Sequence, residues 1–165
     1  MIANPNTNNI PPEEYLAGEE LSSIKHEYIN GQVYAMAGAS DAHVTIALNL
    51  ALALRSHLRG SGCRVYMSDM KAQIETANTF YYPDVIVTCD ARDKALTNHK
   101  KYPCLIVEVL FDSTEAFDRG DKFANYRQLP TLQEYVLINQ KRQCLECFRR
   151  NAEGLWVLYT YTQGS

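Results

Sequence analysis

The chain has 165 residues, of which 46% are hydrophobic and 21% are charged, a composition that predicts one globular domain and excludes general disorder. Its 16 Lys and Arg and 19 Asp and Glu residues give a formal net charge of −3, which argues against a protein that coats nucleic acid nonspecifically but not against a local contact with phosphates. The five Cys residues form no regular framework, no signal peptide is evident and no segment is apolar enough to span a membrane, so we expect reduced thiols and a cytoplasmic protein.

The N-terminal part of the chain predicts an arm, a hairpin and a helix. Residues 1–11 are typical of a flexible arm, and residues 12–165 are expected to form a single domain. Asn30 and Gly31 separate two short alternating segments, which is the strongest short-range signal for a β-hairpin. A polar cap, an apolar stripe at spacings of three and four, and a glycine-rich stop predict a helix over 41–59.

The rest of the chain consists mostly of predicted strands. Their apolar or alternating patterns cover residues 63–68, 70–76, 81–89, 104–110, 134–139, 145–149 and 155–161. A helix is expected over 113–128. The sequence therefore predicts an α/β fold with a central mixed β-sheet flanked by α-helices and with N-terminal and C-terminal β-hairpins.

Glu108 is the most informative single residue. It lies in the middle of the strand sequence LIVEVL, whose other residues are all apolar, and strand alternation places it on the same face as Ile106 and Leu110. An ionised carboxylate buried without a partner would cost several kcal/mol, so a cation must face it or its pKa must rise. That cation is either an Arg or Lys of the core or a bound metal ion.

Two further residues could complete a site with Glu108. Asp84 follows Pro83 at the entry of another apolar strand, where it is either a turn residue or a second carboxylate on the same sheet. Two such carboxylates would suit Mg²⁺, with Mn²⁺ as a substitute. Lys122 lies four residues from both Asp118 and Tyr126, which allows either a surface ion pair or an ammonium that reaches over the end of the sheet to a water molecule.

These residues belong to a longer ordered pattern that runs through nearly the whole chain. Its pieces are Glu14-Tyr15-Leu16, Glu27-Tyr28-Ile29-Asn30-Gly31, Met36-Ala37-Gly38-Ala39-Ser40, His43, Tyr82-Pro83-Asp84-Val85, Val107-Glu108-Val109-Leu110, Asp118, Lys122, Tyr126 and Glu134-Tyr135. This pattern resembles the PD-(D/E)XK nuclease superfamily, and within it the bacterial Uma-family branch of restriction-endonuclease-like proteins. The resemblance implies a restriction-endonuclease-like core and a Mg²⁺-dependent DNA endonuclease.

The resemblance also implies roles for individual residues. Asp84 and Glu108 would hold the metal ion that activates a water molecule and polarises the scissile phosphate. The lysine that usually lies two residues after the Glu is replaced here by Leu110, and Lys122 fits a variant in which that lysine has moved to the following helix. Glu27 matches an upstream acidic residue that supports the metal site, although it could instead be an exposed hairpin charge.

His43 matches a position beside the site in this branch, although it could instead be a structural histidine at a helix start.

Many nucleases of this fold act as dimers, so a homodimer is expected by analogy. A possible phosphate track is formed by Lys94, Lys100, Lys101, Arg119, Lys122, Arg127, Lys141, Arg142, Arg149 and Arg150. Leu110 favours one alternative, a catalytically silent nuclease-derived module that binds DNA or protein. A metal-dependent hydrolase of another phosphate ester is a second alternative.

Overall fold

A computed structural model of the chain describes residues 2–3 and 9–162. Their β-strands are, in chain order, β1 (Ile2–Ala3), β2 (His26–Ile29), β3 (Gln32–Ala35), β4 (Arg64–Met67), β5 (Lys71–Ile74), β6 (Thr79–Tyr81), β7 (Val85–Thr88), β8 (His99–Lys100), β9 (Leu105–Leu110), β10 (Glu134–Asn139), β11 (Cys144–Arg150) and β12 (Trp156–Thr162). Within this described part, the strands form two six-stranded sheets, ordered β1-β3-β2-β6-β5-β8 and β12-β11-β10-β9-β7-β4.

The first sheet is built around the predicted N-terminal hairpin. Strands β2 and β3 pair antiparallel, and Asn30 and Gly31 turn between them with φ values of 46° and 89°. Positive φ at both central residues is the requirement of a type I′ turn, which explains why this dipeptide marks the hairpin. Strand β1 pairs with β3, whereas residues 1 and 4–8 of the predicted arm lie outside the described residues.

The second sheet is the predicted central mixed sheet. Strand β9 pairs antiparallel with β7 and parallel with β10, while β10, β11 and β12 form an antiparallel meander that ends in the predicted C-terminal hairpin. Val85 of β7 lies opposite Val107 of β9. The residue before β7, Asp84, is therefore brought next to Glu108.

Helices cover both faces of the second sheet, as predicted. Helix α1 (Pro12–Leu21) belongs to the N-terminal part, and α2 (Asp41–His57) packs through Ala47 on an apolar cluster with β7, β9 and β10. Ser40 caps α2, because its side chain accepts a hydrogen bond from the backbone N–H of His43 at 3.2 Å. Among the helices that the structure describes, none has both the length and the hydropathy that a membrane crossing requires.

The other face is covered by a helical segment that differs from the predicted helix over 113–128. It consists of α3 (Glu115–Phe117), a π-helical turn (Asp118–Lys122) and α4 (Phe123–Tyr126). Single π-helical turns occur frequently at functional sites. Tyr126 at the end of this segment is fully buried and joins the core cluster of Ile106 and Leu110.

The cysteines correct one prediction. Cys63, just before β4, and Cys89, just after β7, form a disulfide, so the prediction of reduced thiols is wrong for this pair. Strands β4 and β7 are adjacent and antiparallel, and Arg64 pairs with Thr88. This long-range pairing brings the two sulfur atoms together, and it cannot be read from the spacing of the cysteines. In the described range, Cys104, Cys144 and Cys147 are free thiols.

Candidate active site

Glu108 projects from the middle of β9 towards the helical segment, as its strand face predicted. Its side chain is 6% exposed, and its Oε1 lies 3.0 Å from Nζ of Lys122. The hydroxyl of Tyr126 donates a hydrogen bond to the same oxygen at 3.0 Å. The buried carboxylate therefore has both a cation and a neutral donor, which meets the requirement that the sequence imposed.

Lys122 lies at the centre of a group of three carboxylates. Its Nζ is 3.0 Å from Glu108, 3.1 Å from Glu27 and 3.5 Å from Asp118. The π-helical turn holds Asp118 and Lys122 on the side of the helical segment that faces the sheet, and both are buried. The alternative of a surface ion pair is therefore wrong, since the lysine side chain is only 7% exposed.

The charges of this group shift each other's protonation. Burial raises the pKa of Glu108 well above its usual range, and the attraction of Lys122 opposes this shift only in part. Burial alone would lower the pKa of Lys122, but the attraction of Glu108, Glu27 and Asp118 outweighs it and the pKa is raised. Lys122 is thus a cation at neutral pH, and a further cation beside Glu108 would stabilise its ionised form.

Asp84 forms the second part of the site, beside Glu108. Its Oδ2 accepts a hydrogen bond from the backbone N–H of Val109 at 2.7 Å and lies 3.0 Å from Nε2 of His43. The ring of His43 stacks on Phe111, with ring centroids 4.7 Å apart. The charge of Asp84 also contributes to the raised pKa of Glu108, so the two carboxylates interact electrostatically.

Glu27 reaches the same centre from the first sheet. It lies on β2 and is 4% exposed, so the alternative of an exposed hairpin charge is wrong. Its Oε1 accepts a hydrogen bond from the backbone N–H of Tyr82 at 3.1 Å and contacts Lys122 at 3.1 Å. The structure therefore divides the five predicted site residues into two groups. In one, Lys122 contacts Glu27 and Glu108, and in the other, His43 contacts Asp84.

Three side chains contribute to the site beyond the five predicted ones. Asp118 and Tyr126 contact Lys122 and Glu108, respectively, and their spacing of four residues on either side of Lys122 was the signal for them. Phe111 supports His43 only through a tertiary ring contact, for which the sequence contains no signal.

The carboxylates keep ligand capacity for a hard cation. Both contacts of Asp84 fall on Oδ2, and both contacts of Glu108 fall on Oε1, in the part of the chain that the structure describes. No group of three or more His, Cys, Asp or Glu side chains is arranged there as a metal site. Mg²⁺ fits such a pair, because it commonly takes one or two carboxylates and completes its shell with water and phosphate oxygens.

Comparison with known proteins identifies the family. The family model Uma2, described as "Putative restriction endonuclease", matches residues 12–165. The chain belongs to this family. The resemblance seen in the sequence is thereby confirmed, and the family match covers the helices and all strands except β1.

Two curated relatives in Synechocystis sp. are similar over most of this Uma2 chain. Uncharacterized protein slr1290 is 44% identical over 152 residues, which cover 92% of this chain and 80% of that protein. Uncharacterized protein sll1609 is 34% identical over 164 residues, which cover 96% of this chain and 90% of that protein.

A solved structure supports the fold. The crystal structure of a putative nuclease belonging to DUF820, from Anabaena variabilis, superposes with a TM-score of 0.75 and covers 93% of this chain and 85% of that chain. Its sequence identity is 15%, so the likeness concerns the fold alone. It confirms the predicted restriction-endonuclease-like α/β fold.

Proposed function

We propose that this Uma2 protein is a Mg²⁺-dependent endonuclease that hydrolyses DNA phosphodiester bonds. The observation that carries the proposal is the pairing of buried Glu108 with Lys122, 3.0 Å apart, next to Asp84 on the same sheet. Two acidic residues and a lysine form the chemical set that the PD-(D/E)XK resemblance requires. The family description as restriction endonucleases supports the same reaction class.

In this proposal Asp84 and Glu108 hold Mg²⁺, or Mn²⁺ in its place. The bound ion would supply Lewis-acid activation of a water molecule and of the scissile phosphate. Asp84 is held in place by His43 and the N–H of Val109, and Glu108 by the hydroxyl of Tyr126. These contacts fix the direction of each carboxylate, which matters because displacement by about 1 Å can cost two orders of magnitude in rate.

Lys122 takes the role of the usual motif lysine. An ammonium has three donor hydrogens, and the two shortest contacts of Lys122 are those with Glu108 and Glu27, at 3.0 and 3.1 Å. The contact with Asp118 is longer, at 3.5 Å, so the third hydrogen can orient an attacking water molecule or stabilise negative charge on the phosphate. Leu110, at the usual lysine position, is 4% exposed and belongs to the core, so it cannot assume this role.

The same Leu110 favours the second candidate, a catalytically silent module that binds DNA or protein. In that case the Lys122 ammonium serves only as the buried counter-ion of Glu27 and Glu108. A module of this kind has no need for a divalent ion. Metal binding that depends on Glu108 therefore distinguishes the two candidates.

A homodimer completes the proposal, whereas the Cys63–Cys89 disulfide removes the reduced-thiol argument on which the expected cytoplasmic location was based. A second copy would present a second site to the opposite DNA strand. The edge strand β12 offers a surface for such contact, because its exposed side chains include Val157, Leu158, Tyr159 and Tyr161 and it carries no charged residue.

The proposal is tested by a substrate panel with purified full-length protein. Supercoiled plasmid, linear duplex, single-stranded RNA and a small phosphodiester are incubated with Mg²⁺, with Mn²⁺ or with EDTA, and Asp84→Ala protein purified in parallel serves as the reference. We expect cleavage of DNA only with a divalent ion and only by the wild type. Cleavage of the small phosphodiester alone would favour a hydrolase of another phosphate ester. Cleavage of none of the substrates would contradict the proposed enzymatic activity.

A further inference from the structure

A groove of about 530 Å³ lies between the C-terminal end of α2 and the start of β4, and none of its lining residues belongs to the candidate active site. Its lining includes four cationic side chains, Arg55, Arg59, Arg64 and Lys94, and no Asp or Glu. The volume lies within the range of about 300–1,000 Å³ that is usual for ligand sites. Only Lys94 belongs to the phosphate track expected from the sequence.

The four cations share two properties that leave them available to a ligand. None of them forms an ion pair with any residue that the structure describes, and all four are exposed. Asp90 and Asp93 line an adjacent cavity together with Arg64 and Lys94, but both carboxylates are already engaged. Asp90 binds Arg92, and buried Asp93 accepts hydrogen bonds from Thr88 and from the backbone of Lys101. Four like charges around one concavity repel each other, and an anion relieves that repulsion.

Positive charge is concentrated in this groove although the chain as a whole is negatively charged. The whole chain has a net charge of −3, yet one groove collects four of its 16 basic residues without any lining acid. Gly60 and Gly62, both with φ of 82°, carry the chain from α2 towards β4 and contribute no side chain to the space. These two glycines therefore leave space in the groove for a ligand with several anionic groups.

Helix α2 connects this groove with the candidate active site. His43 in its first turn contacts Asp84, and Arg55 and Arg59 lie 12 and 16 residues further along the chain. At 1.5 Å per residue, Arg55 is about 18 Å from His43 along the helix axis, and Arg59 follows just after the helix ends at His57. In a duplex that runs parallel to α2, successive phosphates of a strand advance by about 3.4 Å along the axis, so about 18 Å corresponds to about five nucleotides.

We propose that this groove binds phosphates of the DNA backbone about five nucleotides away from the scissile phosphate, on a duplex that runs parallel to α2. This inference rests on the proposed nuclease function. The three arginines suit the ligand, because a planar guanidinium binds phosphate oxygens in a bidentate manner. Such contacts fix the position of the DNA without reading its sequence.

The test measures DNA binding by full-length Arg55→Gln/Arg59→Gln protein in EDTA, where cleavage is blocked. The matched control is Lys25→Gln/Arg92→Gln, which also removes two positive charges but lies outside both the groove and the expected phosphate track. Both are compared with wild type on fluorescent duplexes of 8 and 24 base pairs over a range of salt concentrations. Because the groove residues are exposed, we expect an unchanged melting temperature.

We expect the groove variant to bind the long duplex more weakly and to lower the salt slope by about 0.9 for each lost phosphate contact, about 1.8 in total. It should also lose the preference of the wild type for the long over the short duplex, whereas the control variant keeps it. Equal slopes for the groove and control variants would overturn the proposal. Tight binding of a nucleoside triphosphate, lost in the groove variant while DNA binding is unchanged, would also overturn it and identify a free nucleotide as the ligand.

Failure of the proposed function gives a different pattern. If the wild type never cleaves DNA with Mg²⁺ but the groove variant loses long-duplex binding, DNA binding by the groove is supported and the nuclease function is refuted. If the wild type cleaves DNA and the groove variant binds both duplexes like the wild type, the nuclease function is supported and DNA binding by the groove is refuted.

Discussion

Lys122 and Glu108 form an ion pair of 3.0 Å between a π-helical turn and the central strand of the second sheet. The pair answers the question that the apolar strand around Glu108 poses, namely which cation accompanies a buried carboxylate. It also places an ammonium at the carboxylate although the usual motif position is occupied by Leu110. Stability and the proposed catalysis therefore depend on the same contact.

Removal of the lysine charge should destabilise the protein strongly. In Lys122→Met the carboxylates of Glu27, Glu108 and Asp118 lose their shared counter-ion, and breaking a buried pair in this way costs about 3–5 kcal/mol. Lys141→Met is the control, since the ion pair of Lys141 with Asp112 is exposed and should contribute about 0–1 kcal/mol. Urea denaturation measures both free energies of unfolding, and equal losses would contradict the shared counter-ion.

His43 should act as a positioning residue for Asp84. Loss of its contact to Oδ2 in His43→Ala is expected to weaken Mn²⁺ binding by about 10–100-fold, the usual effect of removing a side chain that orients a ligand. His57→Ala, at the exposed end of the same helix, is the control and should bind Mn²⁺ like the wild type. Calorimetric titration decides, and unchanged affinity in His43→Ala would show that Asp84 needs no such support.

Alkaline pH should destabilise the fold through Tyr81. Burial raises the pKa of Tyr81 to about 12, against an opposing hydrogen bond from Asn125. The unfolded chain loses this proton near pH 10, so the folded state binds more protons between about pH 10 and 12 and the free energy of unfolding falls as the pH rises through that window. Each pKa unit corresponds to about 1.4 kcal/mol, so the full contribution is about 2–3 kcal/mol.

The comparison of Tyr81→Phe with wild type isolates this effect. The variant should lose stability less steeply above about pH 10, while Tyr159→Phe, which changes a ring that is 41% exposed, should follow the wild type. Guanidinium denaturation at several pH values gives the slopes. Parallel curves for all three proteins would refute the assignment to Tyr81.

The disulfide should be detectable by thiol counting. Unreduced protein, once denatured, should react with a thiol reagent at no more than three cysteines, because Cys63 and Cys89 are joined. After reduction, all five cysteines should react. The bond closes a loop with a sequence separation of 26, so Cys63→Ser should cost about 2–4 kcal/mol under oxidising conditions. Cys144→Ser is the control, and five thiols without reduction would contradict the bond.

Much of the second sheet could be predicted because its strands are local patterns. The limits expected for β10 agree with Glu134–Asn139, and the alternation in β9 gave the correct face for Glu108. The first sheet was harder, since β1 and β8 have two residues each and exist only through pairing with distant strands. No local pattern of two residues can indicate such a strand.

The site shows the same division. The sequence allowed Asp84 and Glu108 to lie on one sheet, and helical spacing indicated Asp118 as a partner of Lys122 but not Glu27. The burial of Glu27 could not be predicted, because a charge on a short hairpin is usually exposed and the contacts of Glu27 with Tyr82 and Lys122 are tertiary. The π-helical turn and the stacking of His43 on Phe111 likewise depend on tertiary packing.

The central claim is metal-dependent DNA cleavage through Glu108, and plasmid nicking by Glu108→Gln tests it most directly. Wild type, Glu108→Gln and the exposed control Glu153→Gln are purified identically and incubated with supercoiled plasmid, with Mg²⁺ or with EDTA. We expect nicked plasmid with wild type and Glu153→Gln in Mg²⁺, none in EDTA, and none with folded Glu108→Gln protein. Equal nicking by Glu108→Gln and wild type would contradict the central claim.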